Sequence, residues 1–170
     1  MFTLSVAEKY LCFLKEYGVK RGMGEVKVRE KVLEGKEEYL VREAETSIRQ
    51  SFKEFDRGVR EKRLKIIRDA AEKAWLAVVK AIESLLLAKG FREDEIKTYR
   101  QKRLALDRLS LRDPAIEKLG LRDRFVAREY NLHIRAFYDG EYDVDALREE
   151  IKKAEKLIED ISSIIHGFQT

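Results

Sequence analysis

The chain has 170 residues, of which 44% are apolar and 40% charged, with one proline, nine glycines and a net charge of +4. That length suits one domain, a composition so poor in turn-formers excludes all-β and turn-repeat architectures, and the aliphatic and aromatic content excludes disorder. The lone Cys12 excludes an intrachain disulfide framework and a cysteine-based zinc site and fits a reducing compartment.

Thr3–Tyr17 places Leu4, Ala7, Leu11 and Leu14 on one helical stripe. Gly18, Gly22 and Gly24 then break the pattern, and the segment to Glu34 reads as a loop. It lacks the GxxxxGK[ST] pattern of a phosphate loop. Gly35–Gly58 reads as a charged helix carrying Leu40, Ala44, Ile48 and Phe55, and Val59–Lys89 as one long helix. The centre of the latter is apolar around most of its circumference, which marks the middle helix of a bundle, and Gly90 is a natural stop. Glu93–Leu111 reads as a more polar helix. Asp113-Pro114 has the chemistry of a helix start, opening a short segment to Gly120, and Arg122–Tyr138 continues as helix. Asp139-Gly140 marks a turn, and Asp143 or Asp145 caps a last amphipathic helix to about Ile165, with His166 and Gly167 as its final-turn and stop residues.

These elements predict an all-α fold, an antiparallel helical bundle with an extra N-terminal helix. Residues 1–34 form a helix and glycine-rich loop packed on the bundle, residues 35–170 form the bundle, and the whole is one compact domain. No signal-peptide pattern and no apolar run of the ~18 residues a membrane span needs occurs. A soluble, cytoplasmic protein without membrane contact is expected. Asn131 is the only asparagine, glutamine occurs only at Gln50, Gln101 and Gln169, and the high charge alongside fits a thermophile source.

Most catalytic signatures are missing: there is no GxSxG, HExxH, GxGxxG or EF-hand loop. No Glu stands three residues before His133 or His166, which removes the helical Glu-x-x-His di-iron pattern. With two histidines and one cysteine, neither a metal nor a cofactor is expected. The remaining candidate is Arg128-Glu129-Tyr130-Asn131-Leu132-His133. Five residues turn a regular helix by about 500°, so Arg128 and His133 would stand about 140° apart on a straight one. Glu129, four residues before His133, shares its face and can hold the imidazole. Arginine fills 18 of 170 positions, so the spacing alone is common.

The run Ala70-Ala71-Glu72-Lys73-Ala74-Trp75-Leu76-Ala77-Val78, the later Arg-x-x-x-x-His and the aromatic, acidic turn Phe137-Tyr138-Asp139-Gly140-Glu141-Tyr142 together resemble the HEPN superfamily of helical bundles, particularly its archaeal PaREP-type members. The resemblance covers roughly Gly35 to Ile165. Many members of that superfamily are metal-independent endoribonucleases with an Arg-x(4–6)-His motif, and their sites commonly form at a dimer interface. The resemblance therefore implies catalytic roles for Arg128 and His133, with Glu129 and Asn131 in support. The position after the arginine is often Asn, Asp or His in the family; here Glu129 fills it. Other members bind nucleotides, or act as partner-binding modules alongside a nucleotidyltransferase-like protein in toxin–antitoxin pairs.

Cleavage of RNA by its own 2′-hydroxyl needs a base, an acid and a cation at the phosphorane. One chain offers one such histidine, so this reading calls for a homodimer. Charge distribution bears on the same question. Arg57–Arg68 and Lys97–Arg112 each carry +5, whereas Glu141–Thr170 carries −4. Three readings follow: a homodimeric endoribonuclease with a toxin or defence role and RNA as substrate, a non-catalytic module that binds a nucleotide, a nucleotidyltransferase-like partner or another copy of itself, and a structural bundle with a buried His133.

Overall fold

The structure is a computed structural model and describes residues 35–167. The expected helix at Thr3–Tyr17, Cys12 and the glycine-rich segment to Glu34 lie outside the described residues. Of the described residues 86% are helical and none is in a strand, so the fold is an all-α bundle. Its elements are α1 (Lys36–Arg60), α2 (Leu64–Ala88), a 3₁₀ turn (Glu93–Glu95), α3 (Tyr99–Arg112), α4 (Pro114–Lys118), α5 (Leu121–Arg128) running on as a π-helix (Glu129–Asp139), and α6 (Val144–Gly167).

α2 is the middle helix, as its apolar circumference predicts, and α1, α3, the π-helix and α6 all pack on it. Ala70, Ala71, Ala74, Ala77 and Ala81 are fully buried along it. Small side chains let α1 approach closely as an antiparallel partner. The polar groups at that interface are satisfied: Ser51 Oγ donates to the Ala70 carbonyl at 2.8 Å and Ser84 Oγ to that of Glu37 at 2.5 Å. Among the described residues Trp75, Phe55 and Phe125 are the largest side chains wholly removed from solvent. Burial of a large apolar side chain of this kind contributes about 1.5–3 kcal/mol.

The first break comes later than Gly58. α1 continues to Arg60, and the turn is made by Glu61–Arg63 with Lys62 at φ 53°. Gly58 is buried inside α1 because α2 crosses it: a Cβ there would lie 2.8 Å from Ile67 Cγ1 and 3.0 Å from the Ile67 backbone nitrogen. The glycine serves close packing rather than chain reversal.

Gly90 ends α2 with φ 87°, as expected. The helix read from Glu93 to Leu111 is instead split. Thr98 opens α3, its hydroxyl accepting from the Gln101 amide at 3.2 Å while Gln101 Oε1 accepts from the Thr98 amide at 2.9 Å. This reciprocal capping box outcompetes a continuous helix. Asp113 caps α4 through the Ala115 and Ile116 amides, and Asp143 caps α6 through the Ala146 amide at 2.9 Å.

The second departure is the π-helix. The periodicity predicts a regular helix through Tyr138, but from Glu129 the hydrogen bonds run i to i+5 until Gly140, at φ 66°, closes the segment. Arg128, Leu132 and Ala136 are all buried and follow at four-residue steps. On a 3.6-residue helix those two steps would rotate the stripe by about 80°. All three nevertheless stay buried against the bundle. Among the described residues no helix is long and apolar enough to cross a membrane.

Candidate functional site around His133

Trp75 lies fully buried where α2, α3, α5 and the π-helix meet. Tyr99 meets its ring edge-on at 5.1 Å and Phe125 packs at 5.0 Å. His133 lies over the same ring at 5.8 Å. Tyr99 and Tyr138 close on the imidazole edge-on, at 5.7 and 4.8 Å, and Phe137 stacks parallel to it at 6.3 Å. The aromatic box fixes the ring plane.

The remaining freedom is removed by α2. His133 Nδ1 lies 2.6 Å from Glu72 Oε2, and the two side chains are only 16% and 18% exposed. A carboxylate accepts, so Nδ1 carries the hydrogen of this bond. In the neutral ring the lone pair then sits on Nε2, the nitrogen left for other partners. A carboxylate-oriented imidazole of this kind suits general acid–base work.

The other residues singled out by sequence are turned elsewhere. Arg128 is 6% exposed, and its Nη2 lies 2.5 Å from Glu150 Oε2 on α6. Its Nε is buried with no partner among the described residues. Burial pulls the guanidinium below its ordinary pKa; the Glu150 charge opposes this, and nearby Arg124 adds to it. Asn131 Nδ2 donates to the same Glu150 oxygen at 3.1 Å, so Arg128 and Asn131 do converge, but on α6 rather than on His133. Glu129 does not hold the imidazole: Arg103 Nη1 of α3 donates to both its carboxylate oxygens, at 2.6 and 2.7 Å. The neighbouring helix offers Glu129 a permanent cation, and Glu72 takes the place expected for it.

Glu72 and Glu150 were not singled out from sequence. A signal exists for both. Glu72 interrupts the Ala-rich stretch of a helix that is otherwise apolar nearly all round, and Glu150 adjoins the Leu147–Ile151–Ala154 stripe of α6. An acid so placed needs a partner. Among the described residues no group of three or more His, Cys, Asp or Glu side chains is arranged to hold a metal ion.

Fold and site together define an all-α bundle whose half-buried face carries a carboxylate-held histidine. The chain belongs to the family described as Domain of unknown function (DUF5618), which matches residues 56–163, from the last turns of α1 into α6 and across every residue of the site. No curated protein and no solved structure gives a significant match.

Proposed function

We propose that the protein is a HEPN-like, metal-independent endoribonuclease that works as a homodimer. His133 is its acid–base group and Glu72 the carboxylate that orients it. The observation that carries this reading is the Glu72–His133 hydrogen bond at 2.6 Å inside the aromatic box. In the reaction, Nε2 of one His133 takes the proton of a ribose 2′-hydroxyl, whose oxygen attacks the adjacent phosphorus. The 5′-oxygen departs with a proton from the imidazolium of a second copy's His133. Tyr130 and Ile134, four residues apart on the π-helix, are 53% and 40% exposed, which supports burial of this segment against a second copy. In this scheme Arg128 and Asn131 anchor the π-helix to α6. A toxin or defence role, with a nucleotidyltransferase-like partner, is the setting the HEPN resemblance suggests.

The test is cleavage of single-stranded RNA by the full chain in EDTA. His133→Ala abolishes it while circular dichroism shows the chain still folded, and Glu72→Gln lowers kcat with little change in KM. Undiminished cleavage by His133→Ala sinks the assignment. A second reading, a non-catalytic module that binds a nucleotide or a partner protein, is favoured by one observation. Arg128 and Arg103 are both committed to carboxylates within the bundle, so neither is left for a phosphate beside the imidazole. Saturable nucleotide binding with no turnover at any enzyme concentration would select it.

A further inference from the structure

The turn between α1 and α2 gathers Arg57, Arg60, Lys62, Arg63 and Lys65, all exposed, within nine residues that include one acid, Glu61. Arg63 lies 3.6 Å from Glu61. Arg57, Arg60, Lys62 and Lys65 make no ion pair with any described residue. Acids on the adjacent turns are committed elsewhere: Asp56 to Arg148 at 2.7 Å and Glu54 to Lys73. Asp69, one turn beyond Lys65, forms no ion pair with it. Nor does α2 itself neutralise the cluster, since it starts with no side-chain cap and no acid in its first turn. Elsewhere on this surface arginines commonly lie against carboxylates, as do Arg122, Arg124 and Arg135. Like charges held together without internal partners raise a positive surface potential that attracts anions.

We infer that this basic turn binds the phosphate backbone of single-stranded RNA and leads the strand to His133, an inference that rests on the endoribonuclease reading. Lys65 and Glu72 are seven residues apart on α2. That is about 700° of rotation, so they share a face within about 20°, roughly 10 Å apart along the axis. Glu72 holds His133. Between them Arg68 reaches across to the π-helix and donates to the carbonyls of Phe137, at 2.8 Å, and Tyr138, at 2.9 Å. The Tyr138 ring therefore stands beside this track, 63% exposed and 4.8 Å from the imidazole. Cations that follow the backbone, leading to an aromatic ring on which a base stacks, are the parts of a single-strand site. An anionic membrane would take the same cations with an apolar face beside them. The turn offers only Leu64, and the exposed ring lies along α2 toward His133 instead.

The test uses the full chain carrying His133→Ala, to prevent cleavage, and a fluorescein-labelled 12-mer of oligouridylate in EDTA, read by anisotropy across a salt series. Arg60→Gln, Lys62→Gly and Lys65→Gln together raise Kd about tenfold or more. They also flatten the dependence of log K on log salt by about 2, since every single-strand phosphate that goes without its cation takes roughly 0.7 from the slope. Lys62→Gly relieves a left-handed backbone, so misfolding does not account for the weaker binding, and an unchanged circular-dichroism melt checks this. Lys118→Gln, Lys152→Gln and Lys156→Gln together remove the same charge elsewhere and leave Kd within about twofold. Equal affinity in the tip variant, equal weakening in both triple variants, or binding to phosphatidylserine vesicles in preference to the oligonucleotide overturns the inference. Its failure is separable from that of the endoribonuclease reading. If the tip binds RNA but the protein with His133 intact never cleaves it, the nuclease reading falls and the tip stands. If His133-dependent cleavage and RNA binding both persist in the tip variant, the tip alone falls.

Discussion

Removal of the Glu150 carboxylate tests what Arg128 is for. In the folded chain the Arg128 side chain is 7% exposed and that of Glu150 16%, with 2.5 Å between them. Breaking a buried ion pair by deleting one partner costs about 3–5 kcal/mol, because the other charge is left uncompensated. Glu150→Ala strands a guanidinium that already has one orphan nitrogen and also frees Asn131, so it belongs in that range. At about 2–4 °C per kcal/mol for a chain of this size, the melting temperature falls by roughly 6–20 °C. Arg128→Met costs distinctly less. It removes the orphan Nε, and Glu150 keeps Asn131 at 3.1 Å and Lys153 at 2.7 Å. The double replacement Arg128→Met with Glu150→Leu recovers most of what Glu150→Ala loses, as apolar substitutes for buried pairs often do. Urea unfolding followed by circular dichroism and by the fluorescence of Trp75 reads all three. A Glu150→Ala cost within 1 kcal/mol of zero, or an Arg128→Met cost larger than that of Glu150→Ala, refutes the reasoning.

Gly58→Ala sets two effects against each other: helix propensity favours alanine by about 1 kcal/mol, while overpacking costs about 1–3 kcal/mol. Separations of 2.8 and 3.0 Å to Ile67 decide for a net loss of stability on urea unfolding, and a stabilised variant would contradict the close approach of α1 and α2. Burial raises the Asp160 pKa, but hydrogen bonds from Lys156 and Arg124, with their charges, outweigh it and leave the carboxyl below its ordinary value. A depressed pKa stabilises the folded chain above the unfolded value of about 4 and stops doing so as pH falls through the folded value. Wild type is therefore more stable than Asp160→Asn at pH 7, and the gap closes in acid; a gap constant down to pH 2 contradicts this. Lys102, 2% exposed, donates to the Ile96 carbonyl and lies 3.2 Å from Glu83. Lys102→Ala leaves both without it, at a cost of about 1–3 kcal/mol, and protease nicking at the Glu93–Thr98 turn increases; resistance equal to wild type contradicts that role.

Where a feature is set by neighbours in sequence, it can be read in advance. Asp113-Pro114, Gly90 and the Asp139-Gly140 turn act through caps and backbone conformations that span a few residues and are found where expected, and of the two caps open to the last helix, Asp143 and Asp145, it is Asp143 that serves. Gly58 misleads because a glycine in a helix signals a break unless another helix is known to cross there. The π-helix is invisible for a related reason: a four-residue buried step fits an ordinary helix until the facing helix fixes which side must stay inward. The pairings that make the site are further out of reach. His133 and Glu72 are 61 residues apart and Asn131 and Glu150 are 19 apart, so periodicity can place each on a helix face but cannot say which faces meet.

The six residues from Arg128 to His133 read as one cluster in sequence, yet the bundle divides them among three helices. Arg128 and Asn131 go to Glu150 on α6, Glu129 to Arg103 on α3, and His133 to Glu72 on α2. Together those pairs hold the segment against three different neighbours. The shares are unequal in one respect that bears on function. Arg128 and Glu150 close inward, whereas the imidazole keeps Nε2 clear of Glu72, beside the exposed Tyr138 ring 4.8 Å away. Loss of activity in an Arg128 variant would therefore not by itself make Arg128 catalytic, because a loosened π-helix also displaces His133. The stability of the same variant distinguishes the two: a phosphate ligand removed from a stable fold lowers activity alone, while an anchor removed lowers both.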